Sequence, residues 1–259
     1  MHSAQYKCAK AVLKLHCNPS AVATIAELGW LPIDGELDIK RIEYFQRLKQ
    51  MDDTRVTKMV FNELQDLHLS HIDTPFKYFK SMKVIFEKYG LDQWMNMDVF
   101  PIKRLKHFVY EKCARERMDH ISMKPSLNNF TKSEEGCSSY LLTKASFSSV
   151  QLKFKLRTGV LGLGEDIARQ HRGTGLCHLC GLYENPKHFT LHCPLFNTER
   201  EFMVNNIKEY TNDAMFGEII SSPKNFMHLL LGEHDNVFNS AFIDFISLVW
   251  KKRLDILLI

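Results

Sequence analysis

Residues Cys177–Cys193 read CHLCGLYENPKHFTLHC and have the spacing Cys-x2-Cys-x7-His-x4-Cys. Two cysteines separated by two residues can share a metal ion from a single tight turn. A catalytic zinc ion keeps one coordination position for water, whereas three thiolates and one imidazole complete the tetrahedron. The stretch therefore predicts one structural zinc ion, bound by Cys177, Cys180, His188 and Cys193.

Other histidines compete with His188 for the fourth ligand position. His192 adjoins the last cysteine, His178 lies between the first two, and His171 is a few residues upstream. We favour His188 because it precedes Cys193 by one helical turn, whereas His192 would share the metal ion with its immediate neighbour. A different interpretation is that the cysteines are unrelated buried thiols. It is disfavoured because three of the chain's seven cysteines fall within this short stretch.

The length and composition are those of a globular, intracellular protein. With 259 residues and 45% hydrophobic residues, the chain can bury a substantial core. The odd number of cysteines and the polar segment Met1–Lys10 argue against secretion and predict a cytoplasmic or nuclear location. The longest uncharged apolar runs, such as Phe245–Trp250, are too short to cross a bilayer, so no membrane partner is expected.

Most of the chain repeats apolar residues with the 3.6-residue period of an α-helix. This pattern predicts a mainly α fold, with a helical, bundle-like N-terminal region followed by an α-helical domain that contains a small Cys3His zinc knuckle. The segment Val150–Arg157 also alternates as a strand would, and there we favour a helix. Thr198 and Glu201 have the spacing of a helix-capping box. Pro75 is expected to begin one helix, and residues 236–257 to form the last.

Two neighbouring segments are expected to form paired helices. Residues 38–51 carry the apolar stripe Ile39, Ile42, Phe45 and Leu48. Residues 54–69 carry the stripe Val56, Val60, Leu64 and Leu67. Each stripe defines one face of a helix, and we expect the two faces to pack together.

The polar segment at residues 126–139 is rich in Ser and Asn and cannot bury enough apolar surface to order itself. We therefore predict a linker at residues 126–139. It would separate a helical region at residues 1–125 from a zinc-binding helical domain at residues 140–259.

Basic residues are concentrated in two regions, although the net charge is only +4. Residues 77–124 contain eleven Lys and Arg against six Asp and Glu, and residues 153–172 contain five against two. Such a surplus can be an ordinary solvated helix face, or it can follow a phosphate backbone. The nearby zinc knuckle favours nucleic-acid binding, because small Cys/His zinc modules recur in proteins that bind unstacked bases.

The run FKLRTGVLGLGEDIARQHRGTGLCHLCGLYENPKHFTLHCPLFNTER (Phe154–Arg200) carries a family resemblance. It resembles the zinc-binding segment at the C-terminal end of non-LTR (LINE-type) retrotransposon reverse transcriptases, with an Arg-Thr-Gly turn, the same ligand spacing and a CPLF-like exit. Upstream, AELGWLPIDGELDIKRIEYFQRLKQM (Ala26–Met51) is similar to the helical region that follows the polymerase palm in such elements. The resemblance implies zinc as cofactor, RNA or DNA as partner, and association with other parts of a retrotransposon protein.

The residues that perform polymerase chemistry in that family have no counterpart in this sequence. Polymerases of this kind need paired palm aspartates to hold two metal ions. The Asp52–Asp53 pair lies between two predicted helices, which indicates an inter-helix turn and N-cap. A Walker loop, an HExxH motif and a Gly-x-Ser-x-Gly motif are also absent from the sequence. We therefore expect a non-catalytic fragment or descendant of such a reverse transcriptase.

Two functions are compatible with these features. The first is a nucleic-acid-binding module with weak sequence preference, in which basic residues around the metal ligands hold RNA or DNA. The second is a zinc-stabilised structural or protein-interaction scaffold without nucleic-acid binding. The candidate nucleic-acid contacts are Arg157, Arg169, His171, Arg172 and Lys187.

Overall fold

The described part of the chain is mainly helical. The computed structural model describes residues 2–70, 72, 76–128, 130, 136–211, 216–217, 222–232 and 236–257. These residues form helices joined by turns and contain no β-strand, so the predicted mainly α fold is confirmed. The α-helices are α1 (His2–Val12), α2 (Ala21–Glu27), α3 (Ile33–Lys49), α4 (Val56–Leu69), α5 (Tyr78–Lys88), α6 (Ile102–Ser122), α7 (Phe147–Arg157), α8 (Gly164–Arg169), α9 (Asn197–Glu209), α10 (Pro223–Leu231) and α11 (Asn236–Leu257). Short 3-10 turns lie at Asp92–Asn96, Pro125–Leu127, Ser139–Leu142 and Pro194–Phe196.

The contacts group these elements into two compact units. The first unit is Leu31–Met118 together with the first two residues. The second unit joins Ser3–Trp30 to Asp119–Ile259, so it is discontinuous in sequence. The linker predicted at residues 126–139 stays a prediction, because positions 129 and 131–135 lie outside the described residues. Pro75, the predicted helix start, also lies outside them.

Aromatic rings form the centre of the first unit's core. The ring of Phe45 on α3 lies 5.7 Å, centroid to centroid, from both Phe61 on α4 and Phe86 on α5. The expected pairing of α3 and α4 is therefore confirmed. All four residues of the predicted α3 stripe are buried, because their spacing keeps them on one face.

The predicted packing face of α4 is only partly confirmed, because Leu64 packs against the first unit's core and Leu67 is half-buried, whereas the two valines are exposed. Phe61 is the buried residue of this helix, while Val56 and Val60 are 74% and 53% exposed. The turn before α4 contains Asp52, whose carboxylate accepts a hydrogen bond from the Thr54 N–H at 2.8 Å. The turn is as predicted, but Arg55 rather than either aspartate is the N-cap residue.

The last helix, α11, supplies much of the second unit's core. It has the predicted bounds, and its buried side chains include Phe242, Phe245 and Val249. It packs against α7 and α9. The 3.6-residue interpretation of Val150–Arg157 is confirmed, since α7 covers these residues. Among the described residues, no helix combines the length and apolar character needed to cross a bilayer.

The start of α9 differs from the prediction. This helix begins at Asn197, directly after the Pro194–Phe196 turn, and its N-cap residue is Phe196. No side chain caps the helix there. The capping box predicted from Thr198 and Glu201 is therefore wrong, because both residues lie within the helix.

Two basic side chains of α7 are buried in the second unit. The Lys153 ammonium donates a hydrogen bond to Asn239 Oδ1 at 2.6 Å. Arg157 is fully buried, and its Nε donates to Glu27 Oε1 on α2 at 2.6 Å. Its guanidinium also lies 5.3 Å from the ring centroid of Tyr140. Part of the basic surplus at residues 153–172 is therefore internal and holds the second unit together.

Candidate metal centre

The first two cysteines of the site lie in a tight turn. The Cys177 N–H donates to the Leu182 carbonyl at 2.7 Å, and the Gly181 N–H donates to the Cys177 carbonyl at 2.8 Å. Gly181 has a positive φ of 77°, a conformation that side chains with a Cβ adopt only at a cost. Burial raises the pKa of the Cys177 thiol, and the backbone N–H groups of Leu179 and Cys180 beside its sulfur partly oppose this rise. The turn thus places two thiols on one side of the loop.

The other two side chains are brought together by a π-helical turn at His188–His192. Its hydrogen bond runs from the Cys193 N–H to the His188 carbonyl at 2.8 Å. In an α-helix, residues five apart would lie about 140° apart around the axis. A π turn closes over five residues, so His188 and Cys193 lie on the same side. Asn185 Oδ1 accepts a 2.7 Å hydrogen bond from the His188 N–H and fixes the start of the turn.

The two halves place four ligand atoms in one cluster. The sulfur atoms of Cys177, Cys180 and Cys193 and a ring nitrogen of His188 all lie within 4.8 Å of one another. His188 Nε2 is 3.2 Å from the Cys180 sulfur. The three cysteines are free thiols rather than disulfides. These four side chains could therefore hold one metal ion.

The competing histidines are not in this cluster. His171, His178 and His192 are exposed, whereas His188 is buried. Adjacency to a cysteine in sequence does not bring His178 or His192 into the group, because neighbouring side chains point in different directions from a turn.

The surroundings of the four candidate ligands favour a neutral imidazole and protonated thiols unless a metal cation is bound. Burial, together with the nearby sulfur atoms of Cys177 and Cys180, raises the pKa of the Cys193 thiol to about 12. Burial lowers the pKa of His188, which keeps its imidazole neutral and able to ligate. A bound cation would offset the cost of forming adjacent thiolates, and binding would therefore release protons.

Arg200 on α9 holds the backbone around the last ligand. Its Nη2 donates to the Cys193 carbonyl at 2.8 Å, and its Nε donates to the Thr190 carbonyl at 2.9 Å. A third bond links its Nη1 to Asn197 Oδ1 at 2.6 Å. The guanidinium therefore ties the π turn to the helix that follows it.

A buried ion pair joins the metal loop to α11. Glu184 is fully buried, and both of its carboxylate oxygens accept hydrogen bonds from Arg253, with Nη2 to Oε2 at 3.0 Å. Glu184 Oε2 also accepts from the Gly164 N–H at 2.7 Å. The carboxylate acts on the site as well, since it contributes to raising the pKa of Cys177, where burial is the largest cause.

The structure corrects one of the predicted nucleic-acid contacts. Arg157 is fully buried and paired with Glu27, so its side chain cannot reach a ligand at the surface. Arg169 lies 3.5 Å from Glu165 and 3.3 Å from Asp166, so its charge is partly neutralised within α8. The remaining candidates, His171, Arg172 and Lys187, are exposed.

Sequence reasoning missed the residues that support the ligands. Glu184 and Arg253 pair across 69 positions, and Arg200 bonds to residues 3 to 10 positions before it. Their local sequence gave no signal beyond the general rule that a charged residue is rarely buried without a partner. The sequence signal for Glu184 was its position inside the metal-binding stretch, between the ligands Cys180 and His188.

No protein-family model, no curated protein and no solved structure matches this chain. A functional assignment therefore rests on the features of the site.

Proposed function

We propose that this chain is a non-catalytic, zinc-stabilised module that binds RNA or DNA, and that it derives from the C-terminal region of a non-LTR retrotransposon reverse transcriptase. The observation that carries the proposal is the four-residue cluster of Cys177, Cys180, His188 and Cys193. Each part of the proposal has its own support.

Zinc fits the ligand set and its dimensions. With Zn–S bonds of about 2.3 Å and a Zn–N bond of about 2.0 Å, a regular tetrahedron has edges of about 3.5–3.8 Å. The observed 3.2 Å from Cys180 Sγ to His188 Nε2 and the 4.8 Å limit on all pairs bracket these edges. A zinc ion with three thiolates carries a net charge of −1, and the nearby Glu184 carboxylate adds a second negative charge. Arg200 and Arg253 provide two compensating positive charges beside them.

The retrotransposon origin rests on the sequence resemblance of two stretches, and these stretches contact each other in the second unit. Arg157 of the Arg-Thr-Gly turn pairs with Glu27 of the upstream AELGW stretch. Next to it, Gly29 has a positive φ of 66°, and a Cβ there would overlap the backbone of Gly136. Residues that are distant in sequence but carry the resemblance thus depend on each other structurally.

Nucleic-acid binding is supported by exposed cations beside the metal-binding stretch. Arg172 lies in the loop that leads to Cys177, and Lys187 directly precedes His188. Both side chains are exposed, and among the described residues neither has an ion-pair partner. A rigid metal loop would hold such cations in fixed positions, where they can contact phosphates.

The zinc part is tested by metal analysis of the purified chain. We expect one zinc ion per chain, and loss of zinc together with local unfolding in Cys177→Ser and Cys180→Ser. Cys8→Ser is the matched control, because this cysteine is exposed and lies outside the cluster. Unchanged zinc content in both ligand variants would show that the ligand assignment is wrong.

The nucleic-acid part is tested by salt titration of binding to labelled RNA and DNA. We expect binding that weakens steeply with salt, and further weakening in the double variant Arg172→Glu/Lys187→Glu. A double reversal at the exposed residues Lys224 and Lys251 gives the same change in net charge elsewhere in the chain. Absence of binding in dilute buffer would leave only the scaffold function.

The scaffold alternative has one observation in its favour. Val56, Met59 and Val60 on α4 are each more than half exposed, which is an unusual concentration of apolar side chains on one helix. A protein partner that covers this face would explain their exposure. Binding of a protein partner that is lost in Val60→Glu, without any nucleic-acid binding, would favour this function.

A further inference from the structure

Cys180 is the most accessible residue of the metal centre. The other ligands are buried, with Cys177, Cys193 and His188 only 2%, 0% and 6% exposed. Cys180 is partly exposed, and the next residue in the turn, Gly181, is exposed. A small molecule in solution can therefore approach Cys180 more easily than the three other ligands.

Two other thiols lie close to the Cys180 sulfur. The ligand atoms of the cluster are all within 4.8 Å of one another, so the sulfur atoms of Cys177 and Cys193 are both within that distance of it. A disulfide bond brings two sulfur atoms to about 2.05 Å. Rotation of the side chains, together with small movements of the turn that holds Cys180, would close the gap. An oxidised Cys180 therefore finds a reaction partner within its own site, which is typical of redox-sensing cysteines.

A bound zinc ion would keep these sulfur atoms in their reactive form. The thiolate, and not the thiol, attacks an oxidant, and a thiol that coordinates a metal ion is deprotonated outright. Exposed cysteines outside the cluster, such as Cys8, receive no such activation from the metal. The metal centre thus combines one accessible thiolate with two nearby sulfur atoms that can form a disulfide with it.

Two contacts would hold the site together after the metal ion has left. Arg253 Nη2 donates to Glu184 Oε2 at 3.0 Å and anchors the loop between the ligands to α11. Arg200 Nη2 donates to the Cys193 carbonyl at 2.8 Å and anchors the π turn to α9. Neither contact involves a ligand atom, so oxidation of the ligands leaves both in place. Loss of the metal ion would therefore be reversible, because the four side chains remain near one another.

We propose that Cys180 is an oxidation site through which hydrogen peroxide releases the metal ion, by forming a disulfide between Cys180 and a neighbouring ligand cysteine. The proposal rests on the zinc centre of the proposed function and adds a means of regulating it. Oxidation would remove the rigid loop that holds Arg172 and Lys187 in fixed positions, so nucleic-acid binding would weaken.

The reaction takes place in two steps at the Cys180 sulfur. Its thiolate attacks one peroxide oxygen, so that an S–O bond forms, the O–O bond breaks, and hydroxide leaves and takes up a proton to give water. The sulfur of Cys177 or Cys193 then attacks the sulfenic acid, which forms the S–S bond and expels the oxygen as a second water molecule. The two cysteines lose two electrons, and these reduce the peroxide. One cysteine and His188 are left as ligands, which is too few for a closed zinc site.

The test treats the full, zinc-loaded chain with hydrogen peroxide at neutral pH and follows the released metal ion with a chromogenic zinc chelator. We expect one zinc ion to be released for each disulfide formed. Zinc binding should return after dithiothreitol reduces the disulfide and zinc is added back. Dimedone, which traps sulfenic acids, should label Cys180 before Cys177 and Cys193 in peptide mass spectra.

Two variants make the test specific to Cys180. Cys180→His offers a nitrogen ligand in place of the sulfur, and a chain that still binds zinc should release it more slowly on oxidation. The dimedone map needs no variant, so it decides the question even if Cys180→His does not bind zinc. Cys8→Ser is the control, because Cys8 is exposed but lies outside the cluster, and its rate of zinc release should be unchanged.

The outcomes separate this inference from the proposed function. A first label at Cys177 or Cys193, or a disulfide that does not contain Cys180, would refute the oxidation site. Retention of zinc at a peroxide concentration that oxidises Cys8 would also refute it. If the purified chain contains no zinc, the metal part of the proposed function fails, and this inference fails with it. If the chain releases zinc as expected but binds neither RNA nor DNA, the inference holds and only the nucleic-acid part fails.

Discussion

Replacing Glu184 by glutamine would remove the charge that Arg253 faces in the core of the second unit. Both side chains are almost completely buried, at 0% and 3% exposure. The Arg253 guanidinium would then be buried without its counter-charge, which costs about 3–5 kcal/mol. The glutamine can still accept the hydrogen bond that the Gly164 N–H donates to Glu184, so this contact does not add to the loss.

The expected loss is a large fraction of the total stability. Domains typically unfold at a cost of about 5–15 kcal/mol, and urea lowers this by about 1–3 kcal/mol per molar. Glu184→Gln should therefore shift the urea midpoint of the second unit's transition downward by at least about 1 M. The measurement is urea unfolding followed by circular dichroism, with zinc in excess so that metal occupancy does not change.

Two further variants make this prediction specific to the buried pair. Glu184→Gln/Arg253→Met removes both charges and should recover about 2 kcal/mol relative to the sum of the single changes. Lys252→Met breaks the neighbouring, partly exposed pair with Glu199 (Nζ to Oε1 2.6 Å) and should cost only about 1 kcal/mol. If Glu184→Gln costs no more than Lys252→Met, the pair does not hold the metal loop to α11 and the reasoning is wrong.

Three other substitutions test the packing. In thermal unfolding, Gly29→Ala should destabilise the protein by several kcal/mol more than Gly162→Ala. Both glycines have positive φ, but of the two only Gly29 has a neighbouring backbone that a Cβ would overlap. Equal losses of stability would contradict this. In chemical unfolding, Phe61→Ala should lower the stability by about 3–5 kcal/mol, whereas Val60→Ser should change it by no more than about 0.5 kcal/mol. A larger loss for Val60→Ser than for Phe61→Ala would instead indicate that Val60 is the residue that packs against the core. Glu27→Gln should cost about 1.5–3 kcal/mol by the same assay, because it removes the charge from the buried oxygen that accepts a hydrogen bond from Arg157 Nε at 2.6 Å, and a neutral effect would contradict a stabilising role for this pair.

The helices and the ligand set could be predicted because their signals are local. The stripe Ile39, Ile42, Phe45 and Leu48 lies on one helix and needs no knowledge of the rest of the chain. The bounds of α11 follow from its own apolar pattern. In the same way, the spacing of the cysteines alone indicates a shared metal ion, and those side chains do lie together.

The parts that were missed depend on contacts between distant residues or on fine backbone geometry. The sequence indicates a surface cation at Arg157, because its partner Glu27 is 130 positions away and leaves no local signal of the buried pair. The helical turn before Cys193 was expected, but periodicity does not distinguish an α turn from the π turn that aligns His188 with it. Val60 and Phe61 are adjacent apolar residues on α4, and the sequence does not show which of them faces the core. Phe61 is buried because α3 packs against its side of the helix.

The most direct test of the metal centre is X-ray absorption at the zinc edge of the purified chain. We predict three sulfur neighbours at about 2.3 Å and one nitrogen neighbour at about 2.0 Å, which correspond to Cys177, Cys180, Cys193 and His188. A spectrum with fewer than three sulfur neighbours, or with an oxygen from water in the fourth position, would contradict a closed structural site.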